Sequence, residues 1–184
     1  METPFIAKVA QKYNLSEQEF REALFKTCIN FNISEEDFED FIYLADGYGL
    51  NPLNKEIYAV PKKNGIIPVA TAAGWIKMIK SSPNLYDIKL QKNTDNEDNL
   101  LSVTCAMYLK GIKYPVRISE YLKECEQDTE YWRKYPARML QNEAIKQCAR
   151  LALDSVGPFF YEEDEAFYKE EGVADLIHEI ICHK

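Results

Sequence analysis

The sequence has little of what metal centres and disulfide frameworks need. It contains two histidines and five cysteines, and no Cys-x-x-Cys pair occurs. Structural zinc sites usually bring such close pairs, and small disulfide-stapled domains usually carry an even set of cysteines. We therefore expect no disulfide framework, no metal site and mostly buried, reduced thiols in a reducing compartment. The residues concerned are His178, His183, Cys28, Cys105, Cys125, Cys148 and Cys182.

Several motifs of catalysis and of targeting are also missing. No Gly-x-x-x-x-Gly-Lys-Ser/Thr loop and no Gly-x-Ser-x-Gly elbow occurs, so a nucleotide-cradling loop and a serine hydrolase site are not expected. No apolar run approaches the ~20 residues of a membrane span. The opening Met-Glu-Thr-Pro-Phe lacks a basic segment followed by an apolar one. We expect a soluble, cytoplasmic protein with no membrane partner.

Acidic and basic side chains are distributed unevenly along the 184 residues. The net charge is −8 overall, but residues 1–54 carry −6, residues 55–150 carry +5 and residues 151–184 carry −7. A basic segment between two acidic ones is typical of a chain with an anionic partner. Charge alone supports equally well a set of lysines that only solvate the surface.

Periodicity and turn residues predict helices at both ends and strands between them. Ser16 with Glu19 and Ser34 with Asp37 are helix-start signals, and Asn64-Gly65 favours a hairpin turn. Closely spaced strands without long crossovers indicate an α+β fold, an antiparallel β-hairpin and meander packed with helices. The predicted strands are 56–60, 66–70, 86–91, 100–109 and 114–118; the later helices are 71–81, 136–154 and 162–181, and 127–135 is a polar, aromatic loop.

The helix after Pro136 carries the most informative pattern. Arg138, Asn142, Lys146 and Arg150 recur every fourth residue, which places them in one polar stripe. Such a stripe suits a phosphate backbone, and cations interleaved with aromatic rings suit single-stranded nucleic acid. An ordinary solvated helix face explains the spacing slightly better. The interleaved residues upstream are Tyr131, Trp132, Arg133, Lys134 and Tyr135; the opposite, apolar face is Leu140, Ala144, Ile145, Cys148, Leu151 and Ala152.

Two weaker patterns lie elsewhere. Lys55, Lys62 and Lys63 flank the predicted hairpin, where solvated turn residues are the commoner case. Asp87-Ile88-Lys89, with Glu56 as an upstream acid, has the form of a metal-dependent nuclease site. A match of three residues arises often by chance, so this alternative carries little weight.

Two long stretches form the most specific pattern in the sequence. The first is Tyr48-Gly-Leu-Asn-Pro-Leu-Asn-Lys-Glu-Ile-Tyr-Ala-Val-Pro61, continuing through 65–69 to Gly74-Trp75. The second is Pro136-Ala-Arg-Met-Leu140, with Ala144 and Gln147-Cys-Ala-Arg-Leu-Ala152, preceded by Trp132. Two long motifs in the right order, within residues 38–156, form a specific signal. Together they resemble the Bet branch of the RecT-like single-strand annealing proteins of phage recombination.

The resemblance implies what the protein does. Members coat single-stranded DNA, often made by a partner 5′→3′ exonuclease, and pair it with its complement without ATP and without catalytic residues. They assemble as rings or helical filaments, and their core is likened to that of Rad-type annealing proteins. No cofactor is required; whether Mg²⁺ assists annealing stays open. The DNA lies in a basic groove that matches Lys55, Lys63, Lys110, Arg138 and Arg150 here. Passive coating of single strands, or docking on an acidic protein, are the alternatives.

The resemblance also suggests a domain organisation. Residues 1–157 would be the annealing core, with a helical part at 1–50 and a DNA-binding α+β part at 51–157, and 158–184 would be an acidic helical segment. Ala137 and Glu143 occupy positions where a family member has lysines, and Ala73 replaces an acid. That member continues with a region that contacts its exonuclease and the host single-strand-binding protein, so these partners, in a bacterial cytoplasm, stay an expectation.

Overall fold

A computed structural model describes residues 4–62, 65–154 and 156. Contacts divide the chain into two compact units, one that ends at Met78 and one from Ile79 to Val156, and each is described by itself. The predicted acidic helix at 162–181 and Lys63 of the predicted hairpin lie outside the described residues. Among the helices of the described part, none is long and apolar enough to cross a membrane.

The first unit consists of helices followed by a hairpin and one more helix. Side-chain caps fix two of the helix starts as predicted. The Ser16 hydroxyl accepts from the backbone of Glu19 while Glu19 accepts from the backbone of Ser16, and Ser34 caps the next helix. The elements are α1 (Phe5–Gln11), α2 (Glu17–Thr27), α3 (Glu35–Gly47), a short 3₁₀ turn (Pro52–Asn54), β1 (Ile57–Lys62), β2 (Gly65–Ala70) and α4 (Ala72–Ser81).

The hairpin leads into α4 through a very close backbone approach. β1 and β2 are antiparallel, with Ile57 opposite Ala70. The Thr71 backbone N–H then donates to the Glu56 carbonyl over 3.1 Å. A Cβ on Gly74 would stand 2.1 Å from that same carbonyl oxygen, so only glycine fits at this position. The glycine of the Gly74-Trp75 pair is therefore a packing requirement of the hairpin–helix junction.

Aromatic rings fill the core of the first unit. Phe20, Phe38 and Phe41 are almost fully buried. The Arg21 guanidinium lies 4.5 Å from the centroid of the Phe38 ring and bonds Glu35 with two N–H groups. The long arginine stem thus covers the core while its charge is matched by a carboxylate.

The second unit is a three-stranded antiparallel sheet with helices that follow it. The strand order is β3–β4–β5. One face of the sheet is covered by α7, because Val103, Cys105 and Met107 of the central strand are fully buried and the Cys148 thiol of α7 lies 3.6 Å from the Cys105 carbonyl oxygen. The elements are β3 (Leu85–Thr94), β4 (Leu100–Leu109), β5 (Val116–Tyr121), α5 (Leu122–Cys125), α6 (Glu130–Lys134) and α7 (Pro136–Ala152).

The predicted α+β class is confirmed, and three local predictions need correction. The segment 127–135 contains α6, because the Thr129 hydroxyl caps the backbone N–H of Trp132. β5 begins at Val116, directly after Pro115, rather than at residue 114, since proline has no N–H to donate to a strand. Leu151, predicted to be buried, is 68% exposed. The helix α1 lies within the predicted helical part at 1–50, although no start signal was named for it.

The described cysteines are free, as predicted. Cys28, Cys105 and Cys148 are buried, and Cys125 is partly exposed. Burial raises the pKa of Cys28 and of Cys125 to about 12. These two thiols therefore stay protonated at neutral pH and serve packing rather than chemistry.

Candidate nucleic-acid interface

The polar stripe of α7 exists, but its cations differ in availability. Arg138 is exposed, whereas Lys146 is half-buried and pairs with Glu143 over 2.6 Å. Arg150 is also half-buried and donates to the Gln147 side chain over 3.4 Å. Leu140, Ala144, Cys148 and Ala149 occupy the buried side of the helix. The start of the stripe is thus its most accessible part.

The junction of α6 and α7 brings two cations onto one tyrosine ring. The Lys134 Nζ lies 5.6 Å and the Arg138 guanidinium carbon 4.9 Å from the Tyr135 ring centroid, and the Tyr131 ring follows at 6.3 Å. Tyr135 is 38% exposed. We call Tyr131, Lys134, Tyr135 and Arg138 the Tyr135 cluster. It offers positive charge and an exposed ring side by side, the combination that suits a phosphate with its neighbouring base.

The other predicted residues of the aromatic segment behave differently. Arg133 is exposed and forms an ion pair with Asp128. Trp132 is only 5% exposed, so its indole lies in the core of the unit and leaves no face for a base. The buried Trp132 side chain anchors α6 in the core of the unit. The sequence showed the aromatic and basic composition but could not separate the anchoring ring from the exposed ones.

Lys110 lies at the end of β4, where the chain turns toward β5. Its ammonium group donates to the Pro83 carbonyl and its backbone N–H to the Asn84 carbonyl, each over 2.8 Å. The side chain is exposed. Lys110 therefore presents its charge from a fixed position, because two bonds hold it to the segment before β3.

The hairpin cations belong to the first unit. Lys55 is exposed and has φ 57°, a left-handed conformation that ends the 3₁₀ turn. Lys62 is exposed at the end of β1. The groove that the resemblance implies would take Lys55 and Lys63 from this part of the chain and Lys110, Arg138 and Arg150 from the second unit. Lys62 was singled out by the hairpin pattern and Lys146 by the stripe. That groove stays a prediction.

The residues of the nuclease alternative have other partners. Glu56 accepts from the Lys77 ammonium group over 2.7 Å and from the Asn51 backbone N–H over 2.6 Å. Asp87 lies 3.9 Å from Lys89 on β3, in the other unit. Within residues 4–62, 65–154 and 156, no three His, Cys, Asp or Glu side chains form a group that could hold a metal ion. No observation on the described residues favours the nuclease reading.

Sequence reasoning missed the contact between Arg138 and Tyr135. The two residues are three positions apart, which is a spacing that brings side chains together on a helix. The composition of 127–135 predicts a loop, and in a loop that spacing has no meaning. In the structure Tyr135 is the N-cap of α7, and the Arg138 backbone N–H donates to its carbonyl over 3.1 Å, which brings the two side chains together.

Comparison with known proteins gives a consistent result. The model of the RecT family matches residues 16–175. The chain is 36% identical over 160 residues to the recombination protein bet of Escherichia phage lambda, covering 81% of this chain and 58% of that protein. It is 27% identical over 127 residues to the uncharacterized protein UU154 of Ureaplasma parvum serovar 3, covering 66% of this chain and 58% of that protein. The chain thus spans somewhat more than half the length of these relatives. With a family match across most of its length and this degree of identity to a phage recombination protein, the chain belongs to the RecT family.

Proposed function

We propose that the protein anneals single-stranded DNA in phage recombination, without nucleotide hydrolysis and without a catalytic residue. The observation that carries the proposal is the Tyr135 cluster, in which an exposed ring lies beside the cations of Lys134 and Arg138. Family membership supports the same conclusion, because the named relative is a recombination protein.

The mechanism requires only that mutual repulsion between two strands is reduced. Cations that contact phosphates release counterions and let the strands approach. Base pairing and stacking then supply on the order of 1.4 kcal/mol per step, which drives the reaction once several pairs form. A protein of this kind should hold the backbone and stack few bases, so that the pairing edges stay outward.

The site residues have graded roles in this proposal. Arg138 and the Tyr135 ring make the central contact, and Arg150 and Lys146 extend it along α7. Lys134 and Arg133 add charge, while the buried Trp132 anchors α6. Lys55, Lys62, Lys63 and Lys110 would continue the basic path.

The proposal includes an assembly and partners. Several subunits on one strand, as a ring or a helical filament, would hold enough nucleotides for a stable register. The strand would come from a 5′→3′ exonuclease and from DNA covered by a single-strand-binding protein in a bacterial cytoplasm. Mg²⁺ is assigned only the screening of the two strands.

A strand-pairing assay tests the proposal. Two complementary oligonucleotides, one with a fluorophore and one with a quencher, are mixed with wild type or with Arg138→Ala/Arg150→Ala at several salt concentrations. The matched control is Lys92→Ala/Lys123→Ala, which removes two exposed lysines from β3 and α5. Wild type and control should anneal rapidly, and the arginine variant should lose most of this activity. The slope of the logarithm of its DNA affinity against the logarithm of the salt concentration should also be shallower by about 0.7 for each phosphate contact removed.

Other outcomes point elsewhere. Tight binding of one strand without acceleration of pairing would make the protein a passive coating protein. Absence of binding at low salt would contradict a DNA function and favour an acidic protein partner. Cleavage of labelled DNA in Mg²⁺, lost in Asp87→Asn, would revive the nuclease reading.

A further inference from the structure

The face of the second unit's sheet that α7 does not cover has an ordered set of polar side chains. Residues directly opposite in an antiparallel sheet share a face, and neighbours along a strand alternate. Cys105 lies on the side of α7, so Thr104 and Ala106 lie on the other side. We call that side the open face; it holds the rows Lys89–Ala106–Arg117 and Gln91–Thr104–Ser119.

The first row places two cations on either side of a methyl group. Lys89 and Arg117 are exposed, and both are paired with Ala106 across the sheet. Neighbouring strands are about 4.8 Å apart, so the backbones of the two cationic residues lie about 10 Å apart, on either side of Ala106, which is 6% exposed. The Lys89 Nζ lies 5.1 Å from the Tyr108 ring centroid and 3.9 Å from an Asp87 carboxylate oxygen. Within the pairings described for these strands, Asp87 is the single carboxylate on this face.

The second row consists of hydrogen-bonding groups. The hydroxyl oxygens of Thr104 and Ser119 are 2.8 Å apart. The Asn93 amide donates to Ser102 over 2.9 Å and to Thr104 over 3.4 Å. Hydroxyls and amides beside two cations suit phosphate oxygens and base edges. The centre of a protein–protein interface would instead be apolar and depleted in charge.

We propose that the open face binds a second single strand of DNA, distinct from the strand held by the Tyr135 cluster. Phosphates would contact Lys89 and Arg117, and a base would lie against Tyr108. α7 packs on the other face of the sheet, so a strand held at the exposed Arg138 leaves the open face available. The inference rests on the proposed annealing function and adds where the incoming strand is captured. Capture raises the local concentration of that strand before pairing.

The test compares Lys89→Ala/Arg117→Ala with the control Lys92→Ala/Lys123→Ala in the full chain. Lys92 is on the same strand as Lys89 but is paired with Val103, on the covered face. Each protein is saturated with an unlabelled thymidine oligonucleotide, and a labelled thymidine oligonucleotide is then titrated by anisotropy. We expect the open-face variant to bind the second oligonucleotide about tenfold more weakly, with a salt slope smaller by about 1.4 for two contacts. Binding of the first oligonucleotide should equal that of the control.

A second measurement does not depend on the fold of a variant. Wild type loaded with one strand is irradiated with an oligonucleotide that contains 5-iododeoxyuridine, and the crosslinked peptide is identified by mass spectrometry. A crosslink at Tyr108 supports the proposal, and crosslinks confined to Tyr131 and Tyr135 overturn it. The charge-conserving Lys89→Arg/Arg117→Lys should restore second-strand binding.

The outcomes separate the two proposals. If wild type binds no first strand, the proposed function fails. If wild type anneals DNA but the open-face variant matches the control for the second strand, only the present inference is overturned. If the open-face variant loses affinity equally for both strands, the two strands share one continuous site and the present inference is overturned. Preferential binding of polyglutamate to the open face would overturn it as well.

Discussion

The two units of the chain use their cations in different ways. In the first unit, Lys12, Arg21 and Lys77 each meet a carboxylate. In the second unit, Lys113, Lys134 and Arg138 each lie over a tyrosine ring. Lys89 also lies over a ring but has Asp87 within 3.9 Å, and Arg133 and Lys146 pair with carboxylates. A cation paired with a carboxylate is neutralised, whereas one beside a ring keeps its full charge for a phosphate.

The local partners of the cations are more informative about nucleic-acid binding than the net charge of the chain. The net charge of −8 would argue against a nucleic-acid partner. A ligand, however, responds to the charges near its binding surface rather than to the net charge of the whole protein. The first unit is expected to contribute stability through its ion pairs. The second is expected to contribute affinity, and the predictions below test that division.

The largest effect should come from the hairpin–helix junction of the first unit. Gly74→Ala would place a methyl group 2.1 Å from the Glu56 carbonyl oxygen. Because backbone cannot yield as a side chain does, we expect a loss of about 3 kcal/mol or more in the free energy of unfolding. Urea denaturation measures this.

Gly47→Ala is the matched control for that substitution. A Cβ at Gly47 would have nothing within 4 Å, and its φ is not in the left-handed region. Its stability should change by less than about 1 kcal/mol. Equal effects of the two substitutions would contradict the close approach.

The next effect should appear in affinity alone. Tyr135→Ala removes the ring from the Tyr135 cluster, and we expect weaker binding of single-stranded DNA by about 1–3 kcal/mol. Tyr135→Phe keeps the ring and should bind nearly as wild type. Anisotropy with a thymidine oligonucleotide gives both values, and equal losses for Phe and Ala would show that the hydroxyl, not the ring, makes the contact.

These residues also show what sequence could supply. The helices after Ser16 and Ser34 and the hairpin at Gly65 were predictable because caps and turns are decided by a few neighbouring residues. Leu151 was not, since periodicity gives a direction around the helix axis but not what covers that direction. For the same reason Trp132 could not be told from Tyr135 before packing was known.

A moderate effect on stability is expected from Arg21→Ala. The guanidinium bonds Glu35 and Glu17 and covers the Phe38 ring, so its loss should cost about 1–2 kcal/mol. Affinity for DNA should not change, because this cation is already paired. Lys12→Ala, which breaks a more exposed pair with Asp46, should cost less than about 1 kcal/mol.

The same pair predicts a pH dependence. The Arg21 guanidinium lowers the pKa of Glu35 below its ordinary value. A carboxyl with a lower pKa in the folded state stabilises above its unfolded pKa of about 4.3, and that contribution is lost as the pH falls through the folded value. The midpoint temperature of thermal unfolding should fall more steeply between pH 6 and pH 3 for wild type than for Arg21→Ala. Parallel curves would contradict the coupling.

The smallest effect on affinity is expected from an ion pair within the second unit. Glu143 pairs with Lys146 over 2.6 Å, so this stretch of α7 resembles the neutralised cations of the first unit. Glu143→Gln keeps the side-chain shape but removes the negative charge that lies 2.6 Å from the Lys146 ammonium group. We expect single-stranded DNA to bind a few-fold more tightly, within about 1 kcal/mol, with a larger salt slope. Glu39→Gln, an exposed acid on α3, makes the same charge change in the other unit and should leave affinity unchanged. If both substitutions tighten binding equally, net charge rather than local pairing governs affinity, and the distinction between the two units does not hold.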